Sequence, residues 1–198
     1  MARRWFLAGV VAVMIALGGA AALFWPMGAG GGGGGVGGRS VGGPFSLADQ
    51  DGRPVTEQTL KGKPTAIVFG FTYCPEICPT TLTNMTAWLK ALGPDADRLN
   101  MVFVSVDPER DTPAQLKSYL SAFDPRIRGL TGSPEAVARI AGEYQVYYRK
   151  VPIAGGGYTM DHSSAIYLMD AKGRFVAPIA FGTPFDSALA SLRRLIHP

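Results

Sequence analysis

Cysteine and histidine are scarce in this chain of 198 residues, which holds two of each. A four-cysteine iron–sulfur cluster is therefore out of reach, and any thiol chemistry must run through Cys74 and Cys78. Charge of one sign is also in short supply. The net charge is +4, and lysine and arginine are scattered without a basic stripe interleaved with aromatics. That pattern argues against nucleic acid as a partner. A weakly basic face suits an acidic protein partner, but an excess this small is first of all a solvated surface. No internal repeat is visible.

Charge is absent altogether from Trp5 to Trp25, in "WFLAGVVAVMIALGGAAALFW". At ~1.5 Å per residue a helix over this stretch reaches roughly 31 Å, the thickness of a bilayer hydrocarbon core. Arg3 and Arg4 precede it and no cations follow closely, which keeps the N-terminus cytoplasmic. The small residues Gly18 to Ala22 could hold a signal-peptidase site, but the apolar cores of signal peptides run only ~7–15 residues. Residues 1–27 are thus expected to be an uncleaved transmembrane anchor. In "GAGGGGGGVGGRSVGG", residues 28–43, a flexible linker is expected, because a glycine run cannot hold a fold. Residues 44–198 then form one exported domain, long enough for a sizeable core.

Within that domain "PFSLADQDGRPVTEQTL" reads as a short hairpin turning at Asp51-Gly52. Thr65 to Phe71 and Met101 to Val106 are continuous apolar, β-branched runs, as expected of strands buried on both faces. Leu82, Met85, Leu89 and Leu92 repeat at helical spacing up to Gly93. Pro113 opens a helix burying Leu116, Leu120 and Phe123. Ser133 caps another, striped by Val137, Ile140 and Tyr144. "SAIYLMD" and "GRFVAPIA" read as antiparallel strands joined across Asp170–Gly173. A helix from about Pro184 buries Phe185, Leu189, Leu192 and Ile196. Two strand–helix–strand crossovers, then a hairpin and a helix, give an α/β thioredoxin-like fold with an N-terminal β-hairpin extension.

Cys74 and Cys78, in "FTYCPEICPTTL", lie at the first strand-to-helix junction. Either Pro79 takes the first helical position and Cys78 is the cap, or Pro75 opens the helix and the sulfurs sit one turn apart. In both geometries unpaired N–H groups and the helix dipole favour thiolate. A structural disulfide is disfavoured, because so short a loop constrains the unfolded chain little. A redox dithiol and a pair of metal-binding thiolates remain, and the spacing does not separate them. A peroxidase reading is weak: peroxiredoxins place Thr three residues before the attacking Cys, and here that residue is Phe71.

A third donor decides more. His197 adjoins the C-terminus and reads as a solvated tail. His162, in "GGGYTMDHSSAIYLMD", precedes the penultimate strand, where thioredoxins present a cis-proline to their thiols. This chain has Met160, Asp161, His162 and Ser163 there. Two thiolates and an imidazole form a soft, three-coordinate set that suits Cu(I), whereas structural zinc takes four protein ligands. Asp161 could orient a neighbouring group, and Met160 is either a weak axial ligand or core. Gly155, Gly156 and Gly157 supply free dihedrals, so residues 151–162 are expected to be a loop, mobile until a metal joins His162 to the cysteines.

"FGFTYCPEICPTTL", "VFVSVDPERDTP" and "YTMDHSSAIYLMD" together resemble the Sco family, thioredoxin-fold copper proteins that assist assembly of the CuA site of cytochrome c oxidase. The likeness covers roughly the whole exported domain. It implies copper, as Cu(I) and Cu(II), on Cys74, Cys78 and His162, with Asp107 as the acidic residue near the site. By itself an Asp before Pro can simply shape a turn. It also implies a single-pass protein of the cytoplasmic (inner) membrane, with its soluble domain on the periplasmic side. The expected role is a metallochaperone, passing copper by ligand exchange to the oxidase subunit that carries CuA. The alternative is a thiol–disulfide oxidoreductase, working through a Cys74–Cys78 disulfide, that reduces that subunit's cysteines before metallation.

Overall fold

The computed structural model describes residues 40–198. The apolar span Trp5–Trp25 lies outside them, as does the glycine run up to residue 39. Among the described residues no helix is long and apolar enough to cross a membrane. Chain order is β1 (Ser46–Asp49), β2 (Pro54–Thr56), α1 (Glu57–Leu60), β3 (Thr65–Gly70), α2 (Ile77–Leu92) and a 3-10 turn (Gly93–Arg98). Then come β4 (Asn100–Ser105), α3 (Pro113–Leu120), β5 (Ile127–Thr131), α4 (Pro134–Glu143), β6 (Tyr148–Pro152), β7 (Tyr158–His162), β8 (Ile166–Met169), β9 (Phe175–Ile179) and α5 (Phe185–Ile196).

Seven strands form one sheet in the order β2-β1-β5-β4-β3-β8-β9, and β6 pairs with β7 alone. The two most apolar runs occupy the sheet interior. All of β3 is buried, and it pairs in parallel with β4 from Thr65 opposite Asn100 to Gly70 opposite Ser105. Residues sealed on both faces by helices need no polar alternation, which explains the unbroken Val/Ile/Phe pattern. β5 continues the parallel set beside β4, while β8 runs antiparallel to β3 and β9 to β8. The expected N-terminal hairpin is present, with Gly52 at φ 79° in its turn, and β1 also pairs with β5 to extend the main sheet. Just before it, the Gly42 N–H donates to Glu143 O at 2.8 Å, and Val41 packs on the core.

Helix ends follow local chemistry. Thr112 and Ser133 accept from the N–H groups of Gln115 and Ala136, each with proline next in sequence, so α3 and α4 start as the sequence indicates. Gly93, at φ 56°, ends α2. Three details differ from expectation. Phe123 lies beyond the end of α3 and stacks edge-on with Tyr119, their centroids 5.6 Å apart. Phe185 is not buried: it opens α5, where the ring is 42% exposed over Trp88. The third is the segment 151–162. It is no open loop, because β6 and β7 pair from Tyr148 opposite His162 to Pro152 opposite Tyr158. The three glycines all have positive φ and confine the irregular part to the turn. A hairpin satisfies its own backbone groups even where it buries little, and glycine allows the tight reversal.

Candidate metal centre

The carboxyl ends of β3 and β4 meet the end of β7, and the chemistry-bearing side chains converge there. After β3 the chain reverses, and α2 starts at Ile77 with Glu76 as its cap residue. Neither proline opens the helix. Pro75 precedes the cap and Pro79 is the third helical residue, a first-turn position where the missing N–H costs nothing. Cys78 is the second helical residue, and its backbone N–H donates to Cys74 Sγ at 3.4 Å. The Cys74 sulfur therefore takes the place of a capping oxygen for one orphan N–H.

This geometry makes the cysteines unequal. Both are free thiols, Cys78 buried and Cys74 half-buried. A hydrogen bond from the Cys78 thiol pulls the Cys74 pKa down to about 5 against the opposing cost of burial. The backbone N–H groups of Cys78 and Glu76 add to the lowering. The Cys78 pKa is pushed up by its bond to the Cys74 sulfur, by burial and by the neighbouring thiolate charge. Without a ligand, the pair carries one thiolate, on the more accessible sulfur.

His162 ends β7 with Nε2 3.6 Å from Cys78 Sγ and Nδ1 2.9 Å from Ser163 O. A carbonyl only accepts, so this contact puts the ring proton on Nδ1 and leaves the Nε2 lone pair facing the sulfurs. The ring stands edge-on to buried Phe71, centroids 5.7 Å apart. The donor atoms of Cys74, Cys78 and His162 all lie within 4.8 Å of one another. Three donors bound at ~2.2 Å around one trigonal ion are roughly 3.8 Å apart, so the set closes on a metal with small adjustments. Among the described residues no other group of three His, Cys, Asp or Glu side chains comes together in this way.

The other sequence candidates fall outside this triad. Asp107 is fully buried, ion-paired through Oδ2 with Arg110 Nε, and accepts at Oδ1 from the Tyr158 hydroxyl at 2.8 Å. Burial and that carboxylate push the Tyr158 phenol up to about 12, so it stays a donor. Asp161 does not hold the imidazole. Residues alternate across a strand, and Asp161 is exposed in a 3.0 Å ion pair with Arg149, its cross-strand neighbour. Met160 packs in the hydrophobic core. His197 lies against Asp95 of the 3-10 turn, Nε2 to Oδ2 3.1 Å.

Three supporting residues escaped the sequence reading. Asp111 is wholly buried and accepts from Ser105 Oγ (2.6 Å), Thr72 Oγ1 (2.7 Å) and Thr72 N (3.0 Å), tying the cysteine loop to the end of β4. Desolvation raises its pKa against these three bonds. Gly70 leaves room for Cys78: a β-carbon there would sit 2.8 Å from its Sγ. Arg110 stacks on Tyr158, Tyr73 and Phe71. Most of these contacts join segments that only the fold brings together, so only the acid-rich "DPERD" after an apolar strand offered a local hint.

The SCO1/SenC family model matches residues 35–197. The chain is 41% identical over 163 residues to the mitochondrial protein SCO2 of Saccharomyces cerevisiae, covering 80% of this chain and 54% of that one. It thus spans about half the length of that relative. Among solved structures, Bradyrhizobium japonicum ScoI with copper bound superposes with a TM-score of 0.75 at 52% identity, covering 79% of this chain and 99% of that one. BsSco, described with a disulfide switch as a member of the Sco family of cytochrome c oxidase assembly proteins, gives 0.64 at 27% identity, with coverage of 80% and 95%. The chain belongs to the SCO1/SenC family, and its thioredoxin-like fold is the Sco fold.

Proposed function

We propose that this chain is a membrane-anchored copper chaperone that carries copper on Cys74, Cys78 and His162 and delivers it to the CuA site of cytochrome c oxidase. The observation that carries the reading is the convergence of two sulfurs and a lone-pair-bearing Nε2 within 4.8 Å. Thiolates and imidazole are soft-to-borderline donors, and three of them complete a Cu(I) site, whereas a structural zinc site wants a fourth. The copper-bound Bradyrhizobium relative supports the choice of metal, and the BsSco description supports the link to oxidase assembly. Residues 5–25 would anchor the domain on the extracytoplasmic face, with the glycine-rich residues 28–40 as tether.

Transfer follows from unequal burial. Cys78 is the inner donor, while Cys74 and His162 form the accessible side. A neutral imidazole carries no charge to hold a cation, so His162 is the donor that yields its position to a partner's thiolate. The two sulfurs retain the ion until exchange is complete.

A thiol–disulfide role has its own support. Cys74, with a pKa of about 5 and partial exposure, is a nucleophile, and Cys78 behind it is placed to resolve a mixed disulfide. Oxidase assembly at limiting copper separates the two. Delivery requires all three donors, so His162→Ala should fail as Cys74→Ser and Cys78→Ser do, with rescue by added copper. Near-normal assembly with His162→Ala would favour the dithiol role instead.

A further inference from the structure

The Arg110 guanidinium touches both the loop that carries Cys74 and the strand that carries His162. Its Nε pairs with Asp107 just beyond β4, and its Nη1 donates to Tyr158 O at 2.9 Å, at the start of β7. Its Cζ lies 3.8 Å from the Tyr158 ring centroid, 4.7 Å from that of Tyr73, next to Cys74, and 5.9 Å from that of Phe71. Tyr158 is held a second time by its hydroxyl on Asp107, 2.8 Å away. Phe71 in turn stands edge-on to His162. Nη2 is buried and meets no acceptor, so Nε, Nη1 and the rings fix the guanidinium.

Strand geometry turns this cluster into a lever. Tyr158, Met160 and His162 are two residues apart and share one face of β7. Met160 is buried in the core between them. The hairpin belongs to a separate two-stranded sheet, with no ladder to the seven-stranded one. Side chains must therefore dock it: Arg110 makes the part-buried polar attachment, and an exposed Lys150–Glu109 ion pair joins β6 to the same turn.

We propose that Arg110 and Tyr158 are positioning residues that clamp the β6–β7 hairpin and so hold His162 at coordinating distance from Cys74 and Cys78. Neither touches the metal; both act through the imidazole. Loosening the clamp withdraws the third donor and leaves a two-sulfur site, the arrangement from which cargo is surrendered. This rests on the copper reading above and adds a means by which the third donor is held or released.

A double-mutant cycle tests it, with Cu(I) affinity measured by chelator competition on the reduced full chain in detergent. Arg110→Gln should weaken Cu(I) binding about 10- to 100-fold, the range for residues supporting a metal ligand. Tyr158→Phe, which keeps the stack and loses only the Asp107 bond, should weaken it less. Because both act through His162, neither should weaken binding further in a His162→Ala background. Unchanged affinity in both single variants overturns the clamp, as does an equal loss with and without His162. Tyr158→Phe removes one oxygen, so the cycle remains readable if Arg110→Gln does not fold. If wild type itself takes up no Cu(I), the copper reading has failed instead, and the clamp as a device for copper falls with it.

Discussion

Replacing Gly70 with alanine adds one methyl group at the most crowded point behind the sulfurs. The new β-carbon would lie 2.8 Å from Cys78 Sγ and 2.7 and 3.1 Å from Phe103 Cε2 and Cζ, where ordinary contact begins at 3.4 Å. Gly70 does not have a positive φ, so the backbone itself accepts alanine and the whole cost is steric. Phe103 and Cys78 are both buried, so each must give: the ring by about 0.7 Å and the sulfur by about 0.6 Å, the latter more than the ~0.5 Å a coordinating set tolerates. Overpacking of this size costs about 1–3 kcal/mol, lowering Tm by roughly 2–4 °C for each kcal/mol in a domain of this length. Cu(I) affinity should drop about tenfold or more, read by chelator competition on reduced protein. Gly129→Ala is the control: its β-carbon meets Leu120 Cδ1 at 2.5 Å and Leu116 beyond it rather than a cysteine, so Tm should fall while affinity holds. Wild-type affinity in a folded Gly70→Ala protein would refute the claim that this glycine seats Cys78.

Alkylation of Cys74 should titrate with a midpoint of about 5 and run at full rate at neutral pH, followed by mass spectrometry. Its folded pKa lies below the ordinary thiol value, so reactivity is lost as pH falls through 5. A midpoint near 8.5 would remove the proposed hydrogen bonds to its sulfur. Asp111→Ala strips the acceptor from Thr72 and Ser105 and should cost about 3 kcal/mol in chemical denaturation. Burial raises the Asp111 pKa, so the carboxyl's contribution is largest at acid pH and shrinks as it ionises. A pH-independent difference between wild type and variant would contradict this. Amide exchange should show protection in the β6–β7 ladder and fast exchange at residues 153–157. Uniformly fast exchange across 148–162 would return the segment to a loop.

The interior of the fold was legible because burial on both faces leaves a plain mark: unbroken β-branched runs such as Thr65 to Phe71 can hardly be anything but central strands. Helix starts at Pro113 and Pro134 carried their own capping chemistry. The convergence of Cys74, Cys78 and His162 was legible too, since a chain with two cysteines and two histidines leaves few combinations. The hairpin was harder to see. Tyr158, Met160 and His162 do alternate, but the three glycines and the shortage of apolar neighbours look like a loop when each strand is read without its partner. Asp161 and Arg149 show the same limit, because their pairing exists only once the register is set. Gly70, Arg110 and Asp111 act largely through residues brought together only by the fold, such as Phe103, Tyr158 and Thr72. A glycine ending a strand or an arginine in a turn carries no local sign of the sulfur it makes room for or the strand it holds.

The central claim is that Cys74, Cys78 and His162 act together as one copper site. A Cu(I) titration of the reduced chain, repeated on the Cys74–Cys78 disulfide form and on His162→Ala, tests it most directly. The account predicts one tightly held Cu(I) per reduced chain, loss of that binding in the disulfide form, which has no thiolate to offer, and weakened binding without the imidazole. Superimposable titrations of the reduced and disulfide forms would contradict it, because copper would then be bound elsewhere.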